Sequence, residues 1–163
     1  MVSFLDTHNA AVIGIACNTA HVYINSINVG TGTTLINLID TVSKVASLSP
    51  SNYLLLTSNT SKEQRLYHNY LDKYGVKFSE TSKEQQSMLD DAIGLVMAHK
   101  LSKAGKVMQK VLLSAKQQGF SAVIAGCTEL PIAIANSKNK YGLKITDSNE
   151  ELAKALLKNY YGH

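Results

Sequence analysis

The stretch "FSAVIAGCTELP", Phe120 to Pro131, decides the fold class. Its centre, "AVIA", is apolar and uncharged, as expected of a strand buried on both faces of a parallel sheet. A glycine, a cysteine and a threonine follow, and "ELPIAIA" then reads as the opening of a helix. In an open α/β sheet such a turn lies just beyond the C-terminal end of a strand, where these folds place their chemistry.

The same build recurs in "AAVIGIACNTAH", Ala10 to His21. Ala10–Ala16 reads as a doubly buried strand, Cys17 ends it, and a helix is expected from about Thr19 to Ile27. The rest of the chain alternates in the same way. "IDTVSKVASL" is a helix stopped at Pro50, and "YLLLT" (Tyr53–Thr57) is a strand. "SNTSKEQRLYHNYLDKYG" predicts one helix with Thr60 or Ser61 as N-cap and Gly75 as its stop. "VKFSE" is a strand, and a helical region begins at Ser82. A further helix runs from about Ala104 to Gln118 and ends at Gly119. "LKIT" is a last short strand, and the closing helix is capped by Asp147 or Ser148. Strands alternating with helices signal an α/β fold with parallel sheets.

The 163 residues are 45% hydrophobic and 17% charged, enough for one domain or two small lobes. No apolar run reaches the roughly 18–20 residues that span a bilayer. The start, "MVSFLDTHNAAVIG", has no basic segment before an apolar one, so a cytoplasmic, membrane-free protein is expected. The net charge of +4 comes from scattered lysines and a single arginine, Arg65. Nucleic-acid surfaces carry basic stripes with arginine forks and stacking aromatics, so no nucleic-acid partner is expected. His8, His21, His68, His99 and His163 form no ligand pattern with the cysteines, and no CxxC occurs. Neither a metal site nor a disulfide framework is expected.

Cys17 and Cys127 are the only cysteines. A helix opening presents free N–H groups and a positive dipole end. It should lower a nearby thiol pKa from about 8.5 toward neutrality. It should also seat a carboxylate, with Asn18, Thr19 and Thr128 as side-chain donors. The competing reading is packing, because free cysteine behaves as a small buried hydrophobe.

"ACNTAH" and "GCTELP" resemble the two signature motifs of the aspartate/glutamate racemase family. "YLLLTSNTSKEQRLYHNYLDKYGVKF", "SKEQQ" and "ITDSNEELAKAL" resemble further family segments in order and spacing. The resemblance implies two Rossmann-like α/β lobes with parallel sheets and the active site between them. The second lobe would be residues 51–142, and residues 1–50 with 143–163 a partial first lobe. It implies cofactor-independent racemisation of an acidic amino acid, with Cys17 and Cys127 as the acid/base pair. Asn18, Thr19 and the Ala20 amide would hold the α-carboxylate, with Thr57 and Thr128 as further contacts. His21, one helical turn beyond Cys17, and Glu129 are possible supporting residues. Glutamate-selective relatives carry His where Glu129 stands, which favours the aspartate-type branch.

The family's opening strands, glycine-rich turn and arginine-bearing loop have no counterpart before Cys17 in this sequence. A first lobe incomplete at its N-terminus is therefore expected. So is a homo-oligomer such as a dimer, or a complementing N-terminal polypeptide. Two other readings stand beside the racemase. One is a related reaction, of the hydantoin racemase, maleate isomerase or arylmalonate decarboxylase type. The other is a non-catalytic or partner-dependent fragment.

Overall fold

The computed structural model describes residues 1–162. His163, the last of the five histidines and the end of the expected 143–163 segment, lies outside them.

Four parallel strands form the main sheet: β3 (Tyr53–Thr57), β4 (Phe78–Glu80), β5 (Ala122–Gly126) and β6 (Lys144–Asp147), in the order β4-β3-β5-β6. Every residue of β3 and β5 is buried. Alternate side chains point to opposite faces. Leu54, Leu56, Val123 and Ala125 meet Leu89 of α5 (Lys83–Met97), Met108 and Leu112 of α6 (Leu101–Gln117) and Leu130 of α7 (Leu130–Ala135). Tyr53, Leu55, Ala122 and Ile124 meet Leu38 and Val42 of α2 (Leu38–Ser47), Leu71 of α4 (His68–Lys73) and Leu152 of α8 (Ser148–Tyr161). Two apolar faces covered by helices explain why both strands read as unbroken hydrophobic runs.

A second sheet holds only β1 (Val12–Gly14) and β2 (Thr34–Ile36), paired in parallel from Val12↔Thr34 to Gly14↔Ile36. Here the sequence expectation is corrected. The strand expected over Ala10–Ala16 has three residues, and only Ile13 among them is buried. One face lies under α8, where Leu152 and Leu156 press against Gly14. The segment after Cys17 is a 3₁₀ helix, Thr19–Ser26, rather than an α-helix. A short helix, α1 (Val2–Thr7), precedes β1.

The single helix expected after β3 is two: α3 (Asn59–Glu63) and α4, separated by Arg65 at φ 49°. Its N-cap is Ser58, whose hydroxyl accepts from the Ser61 N–H, rather than Thr60 or Ser61. Ser82 caps α5 through a reciprocal capping box with Gln85. α6 starts at Leu101, and Asp147 caps α8.

The segment expected to form the first lobe shares a core with the main sheet. Ile36, Leu38, Val42 and Leu152 pack with Tyr53, Leu55 and Ile124, and β6 pairs with β5. The connection from β3 to β4 carries α4 on one face. The return to β5 carries α5 and α6 on the other. Strand order therefore reverses between β3 and β5, the place where open α/β sheets bind their ligands.

Candidate functional site

Thr57 and Gly126 are paired in register as the last residues of β3 and β5, and Cys127 follows at once. Thr57 is 3% exposed, and its carbonyl accepts from the Gln86 side chain. Cys127 is buried and donates its S–H to Glu129 Oε2 at 3.0 Å. The Thr128 hydroxyl donates to the same oxygen at 2.8 Å.

Burial, and then the carboxylate beside it, push the Cys127 thiol up to about 12. The charge of Cys17 adds a smaller push in the same direction. Burial also works against ionisation of Glu129, but hydrogen bonds from Cys127 and Thr128 outweigh it and hold the carboxyl below its usual range. This corrects the expectation that a helix opening lowers the thiol pKa here. α7 has only six residues and begins three positions beyond the sulfur, whereas a full negative charge lies at 3.0 Å. Burial, and then the nearby carboxylate, win over a weak, distant dipole.

Cys17 sits in the loop after β1 and is exposed. It opens into a cavity of about 450 Å³ lined by Thr19, Ala20, Val22, Tyr23, Thr60 and Gln64. Cys127 is not among its walls. A cavity of about 500 Å³ near Pro50 and Lys77 holds neither cysteine.

The expected carboxylate donors around Cys17 divide. Asn18 is 2% exposed, and its side chain is held by protein at both ends. Oδ1 accepts from the Tyr67 hydroxyl, and Nδ2 donates to Ser148 Oγ at 3.0 Å. Its amide ties the Cys17 loop to Tyr67 and Ser148, and these two bonds use one of the two Nδ2 hydrogens. Thr19 lines the cavity, with Oγ1 3.0 Å from Ser61 Oγ and 3.2 Å from Ser58 Oγ. Backbone N–H groups at the opening of the 3₁₀ helix, including that of Ala20, lack intrahelical partners.

His21 does not face the cavity with a free nitrogen. Its Nε2 accepts from the Leu38 N–H at 3.0 Å, so the proton sits on Nδ1 and is donated to the Cys17 carbonyl at 2.8 Å. Burial holds its pKa below the ordinary value, which keeps this neutral tautomer. His21 thus fastens the Cys17 loop to the start of α2.

Three groups that sequence reading missed join the two loops. Tyr67, 1% exposed, reaches Asn18 with its hydroxyl while its ring lies against Gly126. A Cβ at Gly126 would lie 2.8 Å from Tyr67 Cε2, so only glycine fits. Ser148 accepts from Asn18, and its neighbour Asn149 donates to the Thr128 carbonyl at 3.0 Å. The first turn of α8 therefore touches both loops. The serines of "TSNTS" could have been found as a capping signal. Nothing in "RLYHNY" marks Tyr67, because the left-handed break at Arg65 decides where it points. Arg65 itself lines a separate cavity of about 340 Å³ with His21, Asn25, Asn37, Gln64 and Asn69.

The sequence model of the Asp/Glu/Hydantoin racemase family matches residues 2–156. Among solved structures, the Picrophilus torridus aspartate racemase superposes with a TM-score of 0.84 at 27% identity. That alignment covers 96% of this chain and 65% of the other, so the chain spans just under two thirds of that relative. An aspartate racemase homologue from Pyrococcus horikoshii gives 0.76 at 24% identity, over 96% of this chain and 70% of that one. A glutamate racemase isoform from Bacillus anthracis gives 0.74 at 18%, over 99% and 63%. The last two show the shared fold. Among the described residues no helix is long and apolar enough to cross a membrane.

Proposed function

The chain belongs to the Asp/Glu/hydantoin racemase family, and from that premise we propose that it racemises an acidic amino acid, aspartate in the first place, with its two cysteines. The observation that supports this reading is geometric. Each cysteine lies in the loop after a parallel strand, Cys17 open to the cavity lined by Thr19 and Ala20 and Cys127 buried beside Thr128 and Glu129.

Cys17 as thiolate removes the α-proton, forming its S–H bond as the Cα–H bond breaks. The electron pair spreads into the substrate carboxylate, which the N–H groups of Thr19 and Ala20 hold with the Thr19 and Thr128 hydroxyls near by. Cys127 then gives its proton to the opposite face and becomes the thiolate. The reverse reaction exchanges the roles. Burial and Glu129 keep Cys127 protonated at rest, so it is the acid in the first turnover. Thr57, the last residue of β3, is the further substrate contact in this reading. The cysteines and backbone amides supply this chemistry without a cofactor.

The test is α-proton exchange of L- and D-aspartate in D₂O, followed by NMR, for wild type, Cys17→Ala and Cys127→Ala. Wild type is expected to exchange at least about 10³-fold faster than either variant. Equal rates in all three would end the two-thiol reading.

A partner-dependent reading is supported by one further observation. β1 and β2 form a two-stranded sheet, marginal by itself, and Phe4, Val22 and Tyr23 are exposed near it. The proposed assembly is a homo-oligomer or a pairing with a complementing polypeptide. Sedimentation as a monomer, with exchange independent of protein concentration, would exclude the homo-oligomer.

A further inference from the structure

We propose that Tyr67 is the positioning residue that sets the separation of the two thiols. The kinetic consequence rests on the racemase reading; the structural tie does not. Tyr67 reaches residues next to both cysteines. Its hydroxyl donates to Asn18 Oδ1, one residue past Cys17. Its ring presses on Gly126, one residue before Cys127, so closely that a methyl group there would collide with it. The ring is 1% exposed, so it has no room to move aside. Burial, and then the charge of Cys127, raise the phenol's pKa, so it remains a neutral donor at every working pH.

The chain invests in this placement. Gln64–Tyr67 interrupts what sequence pattern reads as one helix, and Arg65 takes a left-handed conformation that non-glycine residues rarely adopt. After that break Tyr67 is buried against Asn18 and Gly126 at 1% exposure, while its neighbour His68 pairs with Glu80 at 2.9 Å on the β4 edge. Asn18 passes the connection on to Ser148, at the start of the helix whose Asn149 holds the Thr128 carbonyl. Ring, amide and helix start thus close a loop of contacts between the two cysteine segments, and Tyr67 touches both of them. Reaction at one carbon from two faces requires sulfurs held to a fraction of an ångström. A rigid phenol between the segments supplies that constraint.

The first arm of the test is amide hydrogen exchange on Tyr67→Phe, which keeps the ring and removes the hydroxyl. Exchange is expected to quicken at least tenfold in peptides covering Cys17–His21 and Cys127–Leu130, while Leu54–Leu56 stays protected. Unchanged protection in either loop overturns the proposal. So does equal acceleration in Leu54–Leu56, which would make Tyr67 ordinary core packing. The second arm is kinetic. Tyr67→Phe and Asn18→Ala should each lower kcat about tenfold or more, with KM within about twofold. The double variant should lose no more than the worse single variant. Additive losses, or a change confined to KM, overturn the proposal. A wild type that exchanges no α-proton would end the reading that this chain racemises by itself, and the exchange-protection arm would still decide the tie.

Discussion

Cys17 and Cys127 follow similar apolar runs and precede similar polar openings, yet they end in opposite surroundings. Cys127 leaves a five-residue strand buried on both faces, is itself buried, and keeps its proton while donating a hydrogen bond to a carboxylate 3.0 Å away. Cys17 leaves a three-residue strand of a two-stranded sheet, stays exposed, and has a backbone carbonyl rather than its sulfur fixed by His21. A local motif thus places a thiol at a strand end, but the number of strands and helices around it decides its protonation. In the proposed two-thiol reaction, where the sulfurs hold one proton between them, this asymmetry sets the starting state.

The largest expected effect is on thiol reactivity. With a pKa of about 12, Cys127 is thiolate in only ~1 in 10⁴ molecules at pH 8. Iodoacetamide at pH 8 should therefore label Cys17 at least about 10³-fold faster, read by peptide mass spectrometry. Comparable rates would remove the contrast. Gly126→Ala should come next. Its methyl group meets Tyr67 at 2.8 Å, and overpacking of this kind destabilises by about 1–3 kcal/mol, seen as a lower urea midpoint.

Glu129→Gln removes the negative charge beside Cys127 and leaves its burial in place. The thiol pKa should fall while staying above the ordinary cysteine value, as followed by thiolate absorbance, and Cys127 labelling should rise about tenfold. The same raised pKa has a consequence for folding. Between 9.0 and about 12 the folded state holds a proton that the unfolded chain has released. Stability from this group is complete below 9.0 and is lost as pH rises through 12, so Cys127→Ala should flatten the alkaline fall in Tm.

The smallest effect belongs to His21, and its sign is opposite. Its folded pKa lies below 6.5, so its contribution is present above that pH and is lost as pH falls through the lowered value. His21→Gln should cost about 1–2 kcal/mol at pH 7.5 and reduce the loss of Tm toward pH 5. An acid response unchanged by the substitution would show that the Cys17 loop does not depend on this neutral imidazole.

Much of this arrangement was legible in the chain. The apolar runs Tyr53–Thr57 and Ala122–Gly126, a helix from Ser82 and a cap at Asp147 or Ser148 are local features and were read well. The strand before Cys17 came out shorter than expected, and the helix after it came out 3₁₀. Thr60 as a cap and one helix through Arg65 were read wrongly. Spacing cannot show that Ser58 wins the cap or that residue 65 turns left-handed. Asn18 shows the limit at the site. Its residue type and place suit a carboxylate donor, but spacing does not show that Tyr67 and Ser148, 49 and 130 positions away, bond to its amide.

The sequence by itself determined the α/β class, the strand ends that carry the two thiols and the family, because periodicity and motif are written in neighbouring residues. Only the tertiary structure decided which thiol is buried, where His21 places its proton, and which side chain joins the two loops. Burial, hydrogen-bond partnership and Coulomb interaction depend on distances between residues far apart in the chain, and those exist only once the sheets and helices have packed.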